Sequence, residues 1–175
     1  MSVKKNLFLM VGVPGAGKST WLKNIFKEDR DYIISRDKIR FMLISDTDDY
    51  FAKEKEVFST WVKYIQESID NPNIPENIFC DATHITERSR DKLLDALDLT
   101  NVKKIKCIVI HPSLKETLEH NEQRTGRAYV PKSVIERMYY QFERPEGDSK
   151  YIKDVQYIKA GYQNGLYRFR PPFLP

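Results

Sequence analysis

Cysteine is nearly absent: among 175 residues only Cys80 and Cys107 carry thiols, and each sits inside an apolar, strand-like run. Thiols so placed are expected to be buried and reduced, which argues against a disulfide-stapled secreted domain and for the cytoplasm. Histidine is almost as scarce, and His84, His111 and His120 show no spacing that suits a metal site. No apolar run approaches the roughly 18 residues that cross a membrane. The longest, Leu7 to Val11, is strand-sized. Met1 to Asn6 carries basic residues, but the apolar stretch after it is too short for the signal-peptide pattern. Neither an internal repeat nor a low-complexity segment breaks the chain, and its length suits one domain with its own core.

The formal net charge is only +4, so no long basic track is present. That balance suits a polyanionic ligand, yet enzymes of neutral substrates carry as much, and charge alone selects no partner. Hydropathy says more. Asn6 to Val11 is a continuous apolar run, the pattern of a strand covered on both faces. Tyr32 to Ser35, Ile78 to Asp81 and Ile105 to Ile110 repeat it, and Val155 to Ile158 is a fifth candidate at the edge. Between them Phe58, Trp61, Val62, Ile65 and Ile69 form one apolar helical stripe. Leu93, Leu94 and Leu97 form another, as do Val134, Ile135, Met138, Tyr139 and Phe142, with Pro131 placed to open that helix. Strands alternating with helices predict a parallel sheet with helices on both faces.

Gly12-Val13-Pro14-Gly15-Ala16-Gly17-Lys18-Ser19 satisfies G-x-x-x-x-G-K-[ST] at every fixed position, directly after the first strand. Thr20 to Phe26 continues as a helical pattern, the context the motif requires. Glycines let backbone N–H groups converge on phosphate oxygens without Cβ clashes, and a helix N-terminus adds positive potential. Gly12, Pro14, Gly15, Ala16, Gly17, Lys18, Ser19 and Thr20 are thus expected to hold ATP. Lys18 would reach the β- and γ-phosphates, and the Ser19 hydroxyl would ligate Mg²⁺. The fold expected is α/β: a three-layer P-loop NTPase sandwich with four to five parallel strands. Two classes of P-loop protein lack their signatures here. The Asn-Lys-x-Asp element of guanine recognition is absent, and no strand ends in the Asp-Glu pair of mechanical ATPases. A kinase instead needs a base near an acceptor hydroxyl and mobile cations over the phosphates.

Ser35-Arg36-Asp37-Lys38-Ile39-Arg40 follows the second strand, and in a parallel sheet the carboxyl ends of strands face the ligand crevice. If residues 36–44 are helical, Asp37 and Arg40 lie within about 60° of each other on one face. Ile39, Met42 and Leu43 then point the other way, toward a core. Asp37 would accept the proton of an attacking hydroxyl, and Arg40 would hold the incoming oxygen. The plainer alternative is a helix-start carboxylate in a surface ion pair. Asp81-Ala82-Thr83-His84 ends the third strand. Asp81 could order metal-bound water and Thr83 could bond substrate; the alternative is a turn that caps the next helix near Thr86. Arg124 and Arg127, in Arg124-Thr125-Gly126-Arg127, lie between two helical patterns. Arginines on such a loop can fold over a triphosphate, or simply favour a helix C-terminus.

Taken together, the stretches Gly12 to Trp21, Ser35 to Arg40, Cys80 to His84, Asn121 to Arg124 with Val130-Pro131, and Ser133 to Tyr139 resemble the kinase domain of the phage and bacterial polynucleotide 5′-hydroxyl kinases. The resemblance spans roughly Asn6 to Pro145. It implies transfer of the γ-phosphoryl group of ATP, with Mg²⁺, to the 5′-hydroxyl of DNA or RNA. By resemblance, Lys18, Asp37, Arg40 and Arg124 are catalytic. Asp37 is the general base, Arg40 holds the acceptor end, Asp81 and Thr83 support the substrate side, and Arg124 with Arg127 forms a lid on the ATP phosphates. No role attaches to Arg36. Residues 1–145 would form the kinase domain, with the arginine lid near 121–131. The aromatic-rich extension, 146–175, is expected to pack on the same domain, and oligomerisation stays open. Family members with an added phosphatase or ligase module are longer than this chain. The rival readings are a P-loop kinase of a small metabolite, such as a nucleoside or sugar, and a nucleotide-dependent regulatory protein.

Overall fold

Strand β1 (Lys5–Val11) runs through the middle of the sheet, because its residues are apolar on both faces. In the computed structural model, which describes residues 4–46, 48–147, 149–163 and 166–170, the strand order is β2-β3-β1-β4-β5-β6. Strands β2 (Asp31–Ser35), β3 (Asn77–Asp81), β4 (Val102–Ile110) and β5 (Asp154–Gln163) join β1 in five parallel strands. A sixth, β6 (Leu166–Arg170), pairs antiparallel with β5. That strand extends the expected four or five, and Pro171 to Pro175 lies outside the described residues.

Side chains of β1 alternate between two cores, the period-2 consequence of strand geometry. Leu7, Leu9 and Val11 pack with Val57, Trp61, Ile65 and Ile69 of helix α3 (Glu54–Asp70) and with Leu93 and Leu94 of α4 (Glu87–Asp95). Met10 packs on the other face with Trp21 and Leu22 of α1 (Lys18–Ile25), the first helix in the chain. The sheet is therefore covered on both sides, a P-loop α/β sandwich. Trp61 also donates its indole N–H to the Ile34 carbonyl at 3.2 Å, tying α3 to β2.

Helix α2 (Arg36–Leu43) directly follows β2, with Ser35 as its N-cap. Its inward face differs from the expected one. Ile39 and Leu43 do pack inward, but Met42 is 70% exposed and Arg40 only 5%. Arg36, Ile39, Arg40 and Leu43 have the i, i+3, i+4, i+7 spacing of one helical stripe, and α3 covers that stripe. Helix α4 is capped by Thr86, whose hydroxyl accepts from the Ser89 N–H. Helix α5 (Leu114–Glu122) is capped by Ser113 with Glu116. Helix α6 (Lys132–Tyr140) begins one residue after Pro131, which stands as its N-cap rather than its first helical residue.

Candidate active site

The loop between β1 and α1 is built where the carboxyl end of β1 meets α5. Gly12 donates its N–H to the Thr83 carbonyl at 2.9 Å, binding the loop to the Asp81-Ala82-Thr83-His84 turn. A Cβ on Gly12 would stand 2.4 Å from the Ile110 carbonyl oxygen, and one on Gly15 would stand 2.5 Å from that of Thr117. Gly15 also has φ +86°, in the region glycine favours. Both glycines are thus required by close backbone approach. His120 of α5 meets the Gly15 carbonyl at 3.0 Å through Nδ1. Gly15→Ala is therefore expected to lower the melting temperature and to abolish its rise on adding ATP, both measurable by thermal melting.

Lys18 Nζ donates to the carbonyls of Gly12 at 2.7 Å and Val13 at 3.2 Å. Burial lowers its pKa and nearby Arg124 lowers it further, while Asp81 and Asp37 oppose. Asp37, Asp81 and Arg124 therefore lie within electrostatic range of this one ammonium. Burial likewise raises the pKa of Asp81, with Asp37 adding to it, against Lys18, the Ser35 hydroxyl and Lys38. Ser35 and Asp81 are register partners at the ends of β2 and β3, so topology alone brings these polar groups to one crevice. Ser19 and Thr20 are exposed at the start of α1.

Asp37 and Arg40 are joined as the helical spacing predicts, but Arg40 is turned inward and only Asp37 faces the open side. Arg40 Nη1 donates to Asp37 Oδ1 at 2.6 Å and to the Tyr50 hydroxyl at 2.9 Å, and Nη2 donates to Glu54 Oε2 at 2.7 Å. Tyr50 in turn donates to the same Asp37 Oδ1 at 2.8 Å. The Arg40 guanidinium also lies 4.4 Å from the Tyr50 ring centroid. Burial and the adjacent Asp37 push Tyr50 up to about 12, so it keeps its proton for donation. Burial opposes the charge of Arg40, but Glu54, Tyr50 and Asp37 together raise its pKa. Arg36 completes the cluster by pairing with the other oxygen of Glu54 and lying over the Phe58 and Trp61 rings.

The consequence is a carboxylate fixed at one oxygen. The Asp37 side chain is 63% exposed, and among the described residues Oδ2 has no hydrogen-bond partner. With its carboxylate this exposed, the pair is screened on one side and adds little to stability. Burying the Arg40 guanidinium costs more than such a pair returns unless the remaining donors are satisfied. The network orients a carboxylate better than it stabilises a fold. Tyr50 and Glu54 escaped sequence reasoning, since they sit in a connection and at a helix start without periodic signal.

The two arginines expected to form a lid part company. Arg124 stays on the P-loop side, donating to the Ala128 carbonyl at 3.3 Å across a short 3₁₀ turn, Gly126–Ala128. Arg127 reaches the end of α2 instead. It donates to the carbonyls of Ile44 at 2.9 Å and Ser45 at 3.3 Å, pairs with Asp46 at 3.2 Å, and lies 4.7 Å from the Phe41 ring centroid. Asn121 pins the base of this loop through paired bonds with Val130 at 2.7 and 3.1 Å. Asp81 and Thr83 sit at the crevice, with the Thr83 carbonyl engaged by Gly12. His84 is a core residue: its Nδ1 meets the Met10 carbonyl at 2.8 Å, and burial lowers its pKa to about 3.

The residues present fit Mg·ATP. Gly12 and Gly15 leave a backbone cradle that side chains would fill, Lys18 supplies the cation, and Ser19 offers a hydroxyl beside it. Among the described residues no cluster of three or more His, Cys, Asp or Glu forms a metal cage. Mg²⁺ needs none, since it keeps waters and takes one or two protein groups beside phosphates. Nor is any described helix long and apolar enough to cross a membrane.

Residues 7–145 match the AAA domain family, nearly the span that carried the motifs. A chain of the Pnkp1/Rnl/Hen1 RNA repair complex is 25% identical and superposes with a TM-score of 0.63, covering 81% of this chain and 45% of that one. This chain thus spans less than half the length of that protein. Kti12 from Chaetomium thermophilum, solved with ADP-AlF3, is 16% identical with a TM-score of 0.60, over 86% of this chain and 87% of its own. A gluconokinase from Sinorhizobium meliloti 1021 is 20% identical with a TM-score of 0.51, over 90% and 83%. At those identities the last two speak for the fold alone.

Proposed function

The chain belongs to the AAA domain family, and from that premise we propose that it transfers the γ-phosphoryl group of ATP to the 5′-hydroxyl of a DNA or RNA end. The observation that carries this reading is the Asp37 carboxylate, held at Oδ1 by Arg40 and Tyr50 and left accessible at Oδ2, within electrostatic range of Lys18. A base and a phosphate cation so related are what an in-line transfer to a hydroxyl needs. The likeness to a chain of an RNA repair complex supports nucleic acid as the acceptor class.

In this mechanism the P-loop amides of residues 12–19 and Lys18 hold the phosphates. The Ser19 hydroxyl would hold Mg²⁺, which when bound would neutralise phosphate charge. Asp37 Oδ2 takes the proton of the acceptor hydroxyl, or orients it when the proton leaves late. Arg40 keeps Asp37 in place, Asp81 and Thr83 line the substrate side, and Arg124 covers the phosphates. Arg127 acts at the acceptor-side helix rather than on ATP. Residues 1–145 form the kinase unit with the lid at 121–131, and β5 and β6, in the extension that follows, add to its sheet. The buried free thiols Cys80 and Cys107 suit a reducing cytoplasm.

The test is transfer of labelled γ-phosphate to a panel of acceptors. A 5′-hydroxyl oligonucleotide is expected to be phosphorylated far better than a free nucleoside, with the rate falling as salt rises, because phosphate contacts weaken through counterion uptake. Equal rates on nucleoside and oligonucleotide without a salt effect would make this a metabolite kinase.

A further inference from the structure

The polar network at Asp37 continues into an exposed aromatic side chain. Phe51 is 57% exposed, although phenylalanine buries well. Its ring stands edge-on to Tyr50, with centroids 4.9 Å apart and planes at 83°. The Phe51 centroid is 6.0 Å from the Arg40 guanidinium carbon, and that guanidinium touches Asp37 at 2.6 Å. Tyr50 meets Phe41 in turn, centroids 6.3 Å apart, and Arg127 covers Phe41. One strip of aromatic rings interleaved with arginine therefore borders the carboxylate.

A lone exposed phenylalanine is ordinary. This one is distinguished by its place. Residues 50 and 51 are consecutive, so the chain that delivers the Tyr50 hydroxyl to Asp37 also delivers the Phe51 ring to the rim of the same site. Phe51 offers a flat apolar face there. Bases stack on such faces irrespective of sequence, and adjacent arginine strengthens the effect.

We propose that Phe51 is the stacking platform for the terminal nucleobase of the acceptor, so that the enzyme selects a base-bearing 5′ end without reading which base it is. This rests on the polynucleotide reading above and adds a named subsite to it. The ring orders the terminal nucleotide while Asp37 faces its hydroxyl, and selection works through binding rather than through the chemical step.

The experiment compares kcat/KM on two 5′-hydroxyl oligonucleotides that differ only in the terminal nucleotide, one with its base and one abasic. The parent enzyme is expected to favour the base-bearing end by about tenfold or more, mostly in KM, as one stacked base warrants. Phe51→Leu keeps apolar bulk but removes the π-face, and its ratio should fall toward one. Phe51→Trp should keep the ratio. A ratio unchanged in Phe51→Leu overturns the proposal, including the case where both acceptors slow equally because Phe51 merely props Tyr50. Equal use of the two oligonucleotides by the parent enzyme overturns it as well, while leaving the polynucleotide reading standing. If the parent phosphorylates neither oligonucleotide but does phosphorylate a sugar or nucleoside, the polynucleotide reading fails, and the platform fails with it.

Discussion

Lys18→Ala is expected to cut phosphoryl transfer by at least about 10²–10³-fold, the loss typical when one preorganised donor to transition-state charge is removed. Among the described residues the side chain bonds just the carbonyls of its own loop, Gly12 and Val13. The loop's position is fixed separately, by the Gly12–Thr83 hydrogen bond and by backbone packing against Ile110 and Thr117. The fold should therefore survive, with the circular dichroism spectrum retained. Burial and Arg124 already disfavour the Lys18 charge, and Asp81 and Asp37 sustain it. An anionic ligand will draw the ammonium off the two carbonyls it now bonds, because those are neutral acceptors and phosphate oxygens are charged. Near-parental turnover in Lys18→Ala would remove the P-loop from the reaction.

The second large effect belongs to Asp37. A general base contributes about 10²–10⁴-fold, and Asp37→Asn keeps volume and shape while losing basicity. Transfer should drop at least about 10²-fold with ATP affinity nearly unchanged, measured by equilibrium binding beside steady-state rates. A loose transition state, in which the proton leaves late, makes the loss smaller without removing it. Arg40→Ala now carries a different expectation from that of an acceptor ligand. Its guanidinium is turned to Asp37, Tyr50 and Glu54, so its removal should lower kcat more than it alters the acceptor KM. Should acceptor KM rise far more than kcat falls, Arg40 grips the acceptor directly. Parental rates in Asp37→Asn would reduce Asp37 to a helix-start residue, and a parallel loss of ATP affinity would move it into the nucleotide site.

The phosphate loop was legible in the chain because its chemistry is contiguous. Gly12 to Ser19 sit within eight residues, and the apolar run before them specifies a buried strand whatever surrounds it. Four of the parallel strands were legible for the same reason, since apolar runs report burial locally, and the fifth, expected at the edge, is instead flanked by β6. The pairing of Asp37 with Arg40 followed from helical spacing alone. Which way that pair faces did not. Arg40 is buried because Tyr50 and Glu54, 10 and 14 residues further on, fold back onto it. Neither of those residues belongs to a periodic pattern. The same return of the chain leaves Met42 exposed and sets Phe51 at the rim. Arg127 likewise turns from the expected phosphate side to the end of α2, where two carbonyls, Asp46 and Phe41 outweigh its kinship with Arg124. Local hydrophobicity and motif spacing act within a few residues of sequence and so can be read from it. Charged side chains on a short helix take whatever partners a distant loop brings, and only tertiary packing decides which those are.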